Sequence, residues 1–112
     1  MKLHIPIRLP SLANCRMHWR KLASIKKSQR TATYYYLKKI NENIELPKLP
    51  LVITITRIGP RKLDDDNLQS ACKYVRDEIA RYIGTDDGSL LYEWRYTQKK
   101  GKYGVDIEIT SR

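Results

Sequence analysis

The chain has 112 residues, one domain's worth, and carries a formal net charge of +10, no Phe, eight Tyr and two Trp. A domain this size buries roughly two-thirds of the surface its unfolded chain exposes, and the polar-tipped aromatics favour a homodimer that supplements a modest core. The positive excess repels itself, so its use is attraction to a polyanion, nucleic acid first and an anionic membrane surface second. A lipid-anchor signal, a bilayer-spanning run, a signal-peptide core and a cysteine framework are all missing from the sequence, which leads to the expectation of a cytoplasmic chain with no membrane partner and with Cys15 and Cys72 as ordinary buried or half-buried thiols.

His4 to Leu9 alternates as a short strand, and Pro6 places it at an edge or a bulge. Residues 16–42 have helical character without Pro or Gly, with Leu22, Ile25, Tyr36, Leu37 and Ile40 as an inner stripe. The stretch from Lys26 to Thr33 is almost wholly polar, which leaves a late start or a break open. Leu51 to Ile58 is the clearest strand, β-branched and apolar, and Gly59-Pro60 ends it. From Asn67 to Ile83 the apolar residues Leu68, Ala71, Cys72, Val75, Ile79 and Ile83 share one helical face. Asp66 is expected as N-cap with Gln69 completing a capping box, and Gly84 as the stop. Leu91 to Thr97 and Val105 to Thr110 alternate as strands, and the Lys99-Lys100-Gly101-Lys102 turn predicts that they form a hairpin. The order β-α-β-α-β-β over residues 1–112 reads as a single α+β domain, a small mixed β-sheet with two main helices packed on one face.

The charge is segregated. Residues 1–63 carry 14 Lys and Arg against two acids, whereas residues 64–112 carry 8 against 10. Five of those ten acids form two groups, Asp64-Asp65-Asp66 and Asp86-Asp87. An acid at a helix start caps free N–H groups and complements the macrodipole, and Asp86-Asp87-Gly88 suits a plain turn. Capping explains one Asp, while three adjacent ones repel each other. In an extended segment Asp64 and Asp66 point the same way, about 7 Å apart. The helix that follows spans about 25 Å, so Asp86 and Asp87 meet them only if the chain folds back or a second subunit intervenes. A cage of such carboxylates suits Mg²⁺, which prefers oxygen ligands and can activate water and neutralise phosphate charge.

Asp64-Asp65-Asp66-Asn67-Leu68, a helix, and then Asp86-Asp87 resemble the RusA family of Holliday junction resolvases, many of them from phages and prophages. The opening is similar too, with Leu9-Pro10 and Asn14 ahead of a basic segment. The resemblance implies a small α+β homodimer in a bacterial cytoplasm that nicks branched DNA with Mg²⁺ or Mn²⁺ in recombination and repair. It implies Asp64, Asp66 and Asp87 as catalytic metal ligands, Asp86 nearby and Asn67 ordering the loop. The family's helix lysine is replaced by Ser70. Lys73 lies one turn further on, rotated by about 60° and raised about 4.5 Å, and is the catalytic lysine candidate.

Arg16, Arg20, Lys21, Lys26, Lys27, Arg30, Arg61, Lys62 and Lys73 are the DNA-backbone candidates. His18 reads as a phosphate or structural contact rather than a general base. Trp94 and the neighbouring tyrosines read as packing before base stacking. Tyr34, Tyr35 and Tyr36 cannot all face inward, so at least one is exposed. The competing function is a non-catalytic, basic nucleic-acid-binding protein whose acidic groups are structural.

Overall fold

The computed structural model describes residues 1–12, 18–84 and 89–112. Seven elements follow in the order β1 (Lys2–Ile5), α1 (Trp19–Asn41), β2 (Leu51–Gly59), α2 (Asp65–Ala71), α3 (Lys73–Ile83), β3 (Tyr92–Lys100) and β4 (Gly104–Ser111). The fold is mixed α+β, with one four-stranded sheet and three helices among the described residues. Among the described residues no helix is long and apolar enough to cross a membrane.

The most apolar strand takes the centre. Leu51, Ile53 and Ile55 of β2 are fully buried and alternate with half-buried Val52, Thr54 and Thr56, the period-2 signature of a strand with one face on the core. The sheet order is β1-β4-β2-β3. β2 pairs with β3 in parallel, from Leu51 with Tyr92 to Gly59 with Lys100. It pairs with β4 antiparallel, Ile53 facing Ile109 and Ile55 facing Ile107. β1 closes the far edge against β4.

The expected hairpin between the last two strands is therefore incorrect: β3 and β4 are not neighbours, and β2 lies between them. The short link at 101–103 crosses the end of β2, with the Gly101 amide donating to the Gly59 carbonyl at 3.1 Å. The physical reason is burial. β2 can fill both of its edges, whereas β3 carries Glu93, Arg95, Lys99 and Lys100 and suits an edge, where charge blocks further pairing. Joining parallel β2 and β3 then requires the crossover that α2 and α3 supply.

The inner face sets Leu3, Ile5, Val105, Ile107 and Ile109 beside Leu51, Ile53, Ile55 and Tyr92. α3 contributes Val75, Ile79 and Ala80 to this core, and α1 contributes Leu37 with half-buried Tyr36 and Ile40. The opposite face is polar, with Thr56 bonded to Thr97, His4 hydrogen-bonded to Asp106 and an ion pair Glu93–Arg95.

Two helices differ from their sequence reading. α1 runs unbroken through the polar stretch, because Gln29 and Thr33 are buried there in register with Leu37, and the Thr33 hydroxyl donates to the Gln29 carbonyl at 2.7 Å. Arg30 adds a bond from its Nε to buried Glu78 of α3 at 3.2 Å. The second helix begins two residues early and is interrupted at Cys72, which has φ −89° and ψ −2°. Asp66 is consequently not the N-cap. Asp64 caps α2, its side chain accepting from the Asn67 amide at 3.1 Å. Gly84 ends α3 in the left-handed region at φ 93°, a conformation that glycine adopts without strain.

Burial pushes the Cys72 thiol up to about 12, with the Arg57 charge opposing that rise. The raised folded value means the neutral thiol stabilises the fold fully below the ordinary value of 9.0 and loses that contribution as pH rises through about 12. In a Cys15→Ser background, thiol-exchange labelling at pH 9 is expected to stay near zero for the native chain and reach completion in denaturant. Rapid native labelling would show that Cys72 is open to solvent.

Candidate functional site

The acidic group stands on a mount built by two neighbouring strand positions. The inner-face alternation of β2 ends at Arg57, which is 5% exposed and lies in register with Gln98 of β3. Arg57 Nε donates to the Leu9 carbonyl at 2.7 Å, and Nη1 donates to the Arg61 carbonyl at 2.9 Å. Gln98 meets both backbone groups of Leu63: its Oε1 accepts from the amide at 2.9 Å, and its Nε2 donates to the carbonyl at 2.6 Å. Three of these hydrogen bonds fix the connector that delivers the chain into α2, and the fourth ties Leu9 to the same arginine.

Asp64, Asp65 and Asp66 follow at once and are all exposed. The Asp64 cap bond stabilises the start of α2. The electropositive helix start tolerates the adjacent charges. Among the described residues no other hydrogen bond or ion pair engages these carboxylates, and no group of three or more His, Cys, Asp and Glu side chains is placed to hold a metal ion. The hard, solvent-facing oxygens suit a divalent cation in kind, although the described ones are too few for a full ligand set.

Asp86 and Asp87 lie outside the described residues, as do Arg16, Asn14 and Cys15. Their flanks are informative. The Ser89 carbonyl accepts from the Tyr92 amide at 3.2 Å and the Leu91 carbonyl from the Leu51 amide at 2.8 Å, so Ser89 to Leu91 sit where β2 and β3 begin. Leu63 is bonded to Gln98, near where both strands end. At the rise of a strand the seven steps of β3 from Leu91 to Gln98 span about 23 Å. The α2 acids and the residues flanking Asp86-Asp87 therefore occupy opposite ends of the parallel pair.

Arg20, Lys21, Lys26 and Lys27 are exposed on α1, with Arg20 over the Trp19 ring at 5.2 Å. Lys26 lies over the Tyr74 ring at 5.7 Å, which brings α1 against the start of α3, where Lys73 is exposed. Arg61 and Lys62 are exposed beside the acids. Arg30 is half-buried and committed to Glu78. His18 is a helix cap, its Nδ1 accepting from the Arg20 amide. Trp94 and Tyr96 pack against the core, and Arg76 donates to the Tyr96 hydroxyl at 2.8 Å while lying over Trp94 at 4.9 Å. Tyr34 and Tyr35 are exposed, and Tyr36 is turned inward.

Arg57 and Gln98 were not singled out by the sequence reading. The signal for both is period 2, since Leu51-Ile53-Ile55 and Tyr92-Trp94-Tyr96 each continue inward to a polar residue. Replacing Arg57 by Met strands the Leu9 and Arg61 carbonyls and is expected to cost about 2–3 kcal/mol in urea unfolding; an unchanged midpoint would mean that water satisfies both. Comparison with protein families, curated proteins and solved structures finds no match to this chain.

Proposed function

We propose that this chain is a metal-dependent, structure-selective endodeoxyribonuclease that nicks Holliday junctions or related branched DNA in recombination or repair, in the cytoplasm of a bacterial cell. The observation that carries the reading is the presentation of three exposed carboxylates on a hydrogen-bonded mount in a chain of net charge +10. A protein that only bound DNA would need one Asp here as a helix cap and would gain little from two more exposed acids beside its cations.

Asp64 and Asp66, with Asp87 and nearby Asp86, would hold Mg²⁺ or Mn²⁺. When bound, the ion supplies charge neutralisation at the scissile phosphate and a more acidic water. Lys73 presents a compact positive charge to a phosphate oxygen. Arg20, Lys21, Lys26 and Lys27, with Arg16, Arg61 and Lys62, hold the backbone by salt-sensitive contacts. Arg30 contributes less, because Glu78 already engages its guanidinium.

The placement of the α2 acids and of Ser89 to Leu91 at opposite ends of the parallel pair supports a homodimer in which Asp64 and Asp66 of one protomer would meet Asp86 and Asp87 of the partner subunit. Two such shared sites suit the two-fold symmetry of a four-way junction. Exposed Trp19, at 67% exposure, and exposed Tyr35 and Leu90 offer apolar surface for association.

One observation favours the second reading, a non-catalytic binding protein: Asp64 has a structural task as a cap. Asn caps as well as Asp, and Asp66 is not the cap. Asp64→Asn and Asp66→Asn are therefore expected to keep the wild-type melting temperature, to bind a synthetic four-way junction at least as tightly in EDTA, and to lose nicking with Mg²⁺ or Mn²⁺ by about 100-fold or more. If the wild-type protein binds junctions, flaps and forks but leaves all of them intact with either metal, the acids are structural and the second reading replaces the first.

A further inference from the structure

Gln29 lies on α1 facing the core side and is 3% exposed. Its backbone carbonyl is met by Thr33, but neither its side-chain Oε1 nor Nε2 has a hydrogen-bond partner among the described residues. A buried amide left in that state is costly, and an apolar side chain of the same size at this position would avoid the cost.

Gln29 lines a groove of about 500 Å³ between the residues that follow β1 and the first half of α1, its amide atoms covered just beneath. Arg8 and Lys21 line it and are exposed; Ile7, Pro10 and Ile25 supply apolar wall; no acid among the described residues lines it. Its size is in the range of small-ligand sites. Two cations call for an anion, the apolar wall for a flat hydrophobic body, and the amide for an edge carrying a donor beside an acceptor. A nucleotide joins all three.

We propose that this groove takes one unpaired nucleotide of a DNA strand, with its phosphate on Arg8 and Lys21 and its base edge on the Gln29 amide. Adenine, whose amino group adjoins a ring nitrogen, matches a carboxamide. Both amide atoms are covered in the free chain, so the base displaces side chains over them as it enters. Arg57 ties the groove to the acidic mount, since it holds Leu9, next to the wall residue Pro10, and Arg61 together. The proposal rests on DNA being the substrate, but its test needs neither metal nor cleavage.

Fluorescence anisotropy of the full chain in EDTA, with labelled single strands of twelve adenine nucleotides or twelve abasic ones, reads the groove directly. Wild type is expected to bind the adenine strand at least tenfold more tightly than the abasic strand. Gln29→Met is expected to raise the melting temperature, to weaken adenine-strand binding about tenfold and to leave abasic binding within twofold. Lys21→Gln is expected to weaken both strands alike and to flatten the salt dependence. Equal wild-type affinity for the two strands overturns the proposal without any variant, and so does Gln29→Met if it binds the adenine strand as wild type does or weakens both equally. Loss of the base effect with junction nicking intact removes the groove alone; a base effect without nicking removes the nuclease reading alone.

Discussion

A guanidinium buried at the end of an apolar strand is expensive unless it is hydrogen-bonded, and Arg57 donates from Nε and Nη1 to carbonyls of two separate loops. That one side chain joins the segment after β1 to the connector before α2. Gln98, its neighbour in register, grips the same connector by both backbone groups of Leu63. The acidic residues project from this junction with their backbone fixed, as a site that must hold several oxygens in one geometry requires. The nearby thiol of Cys72 stays protonated because burial outweighs the Arg57 charge.

The sheet explains why the α2 acids lie far from the start of β3. Parallel pairing of β2 and β3 forces the chain between them to return along the sheet, from the end where Gln98 holds Leu63 to the end where Ser89 and Leu91 start β3. Leu63, which leads into the α2 acids, and Ser89 to Leu91, at the two ends of this crossover, are far apart within one protomer. In the proposed two-fold dimer, each protomer would give one end of its crossover to each of two sites.

Much of the fold is legible from periodicity. The alternation in Leu51 to Ile58 and the stop at Gly84 appear where expected, and the apolar positions from Leu68 to Ile79 are buried as expected but on two helices rather than one. What periodicity misses is pairing. The turn at Gly101 looks like a hairpin locally, and only competition for the central position, won by β2, separates β3 from β4. The N-cap was misplaced for a related reason. Three adjacent Asp residues are equivalent as caps, and the bonds to Leu63 select Asp64 by fixing where the helix can begin. The acidic group itself was visible as charge in excess of capping, whereas Arg57, Gln98 and Gln29 act through backbone groups or buried contacts that leave only an interrupted apolar pattern.

The sharing of sites between protomers is tested most directly by mixing two inactive variants, Asp66→Asn and Asp87→Asn, allowing subunits to exchange, and measuring junction nicking with Mn²⁺. If each site joins Asp66 of one protomer to Asp87 of the other, every mixed dimer carries one intact site and one doubly altered site, and about a quarter of wild-type activity returns. If both acids belong to one protomer, every site in the mixture retains a lesion and the mixture stays as inactive as its components.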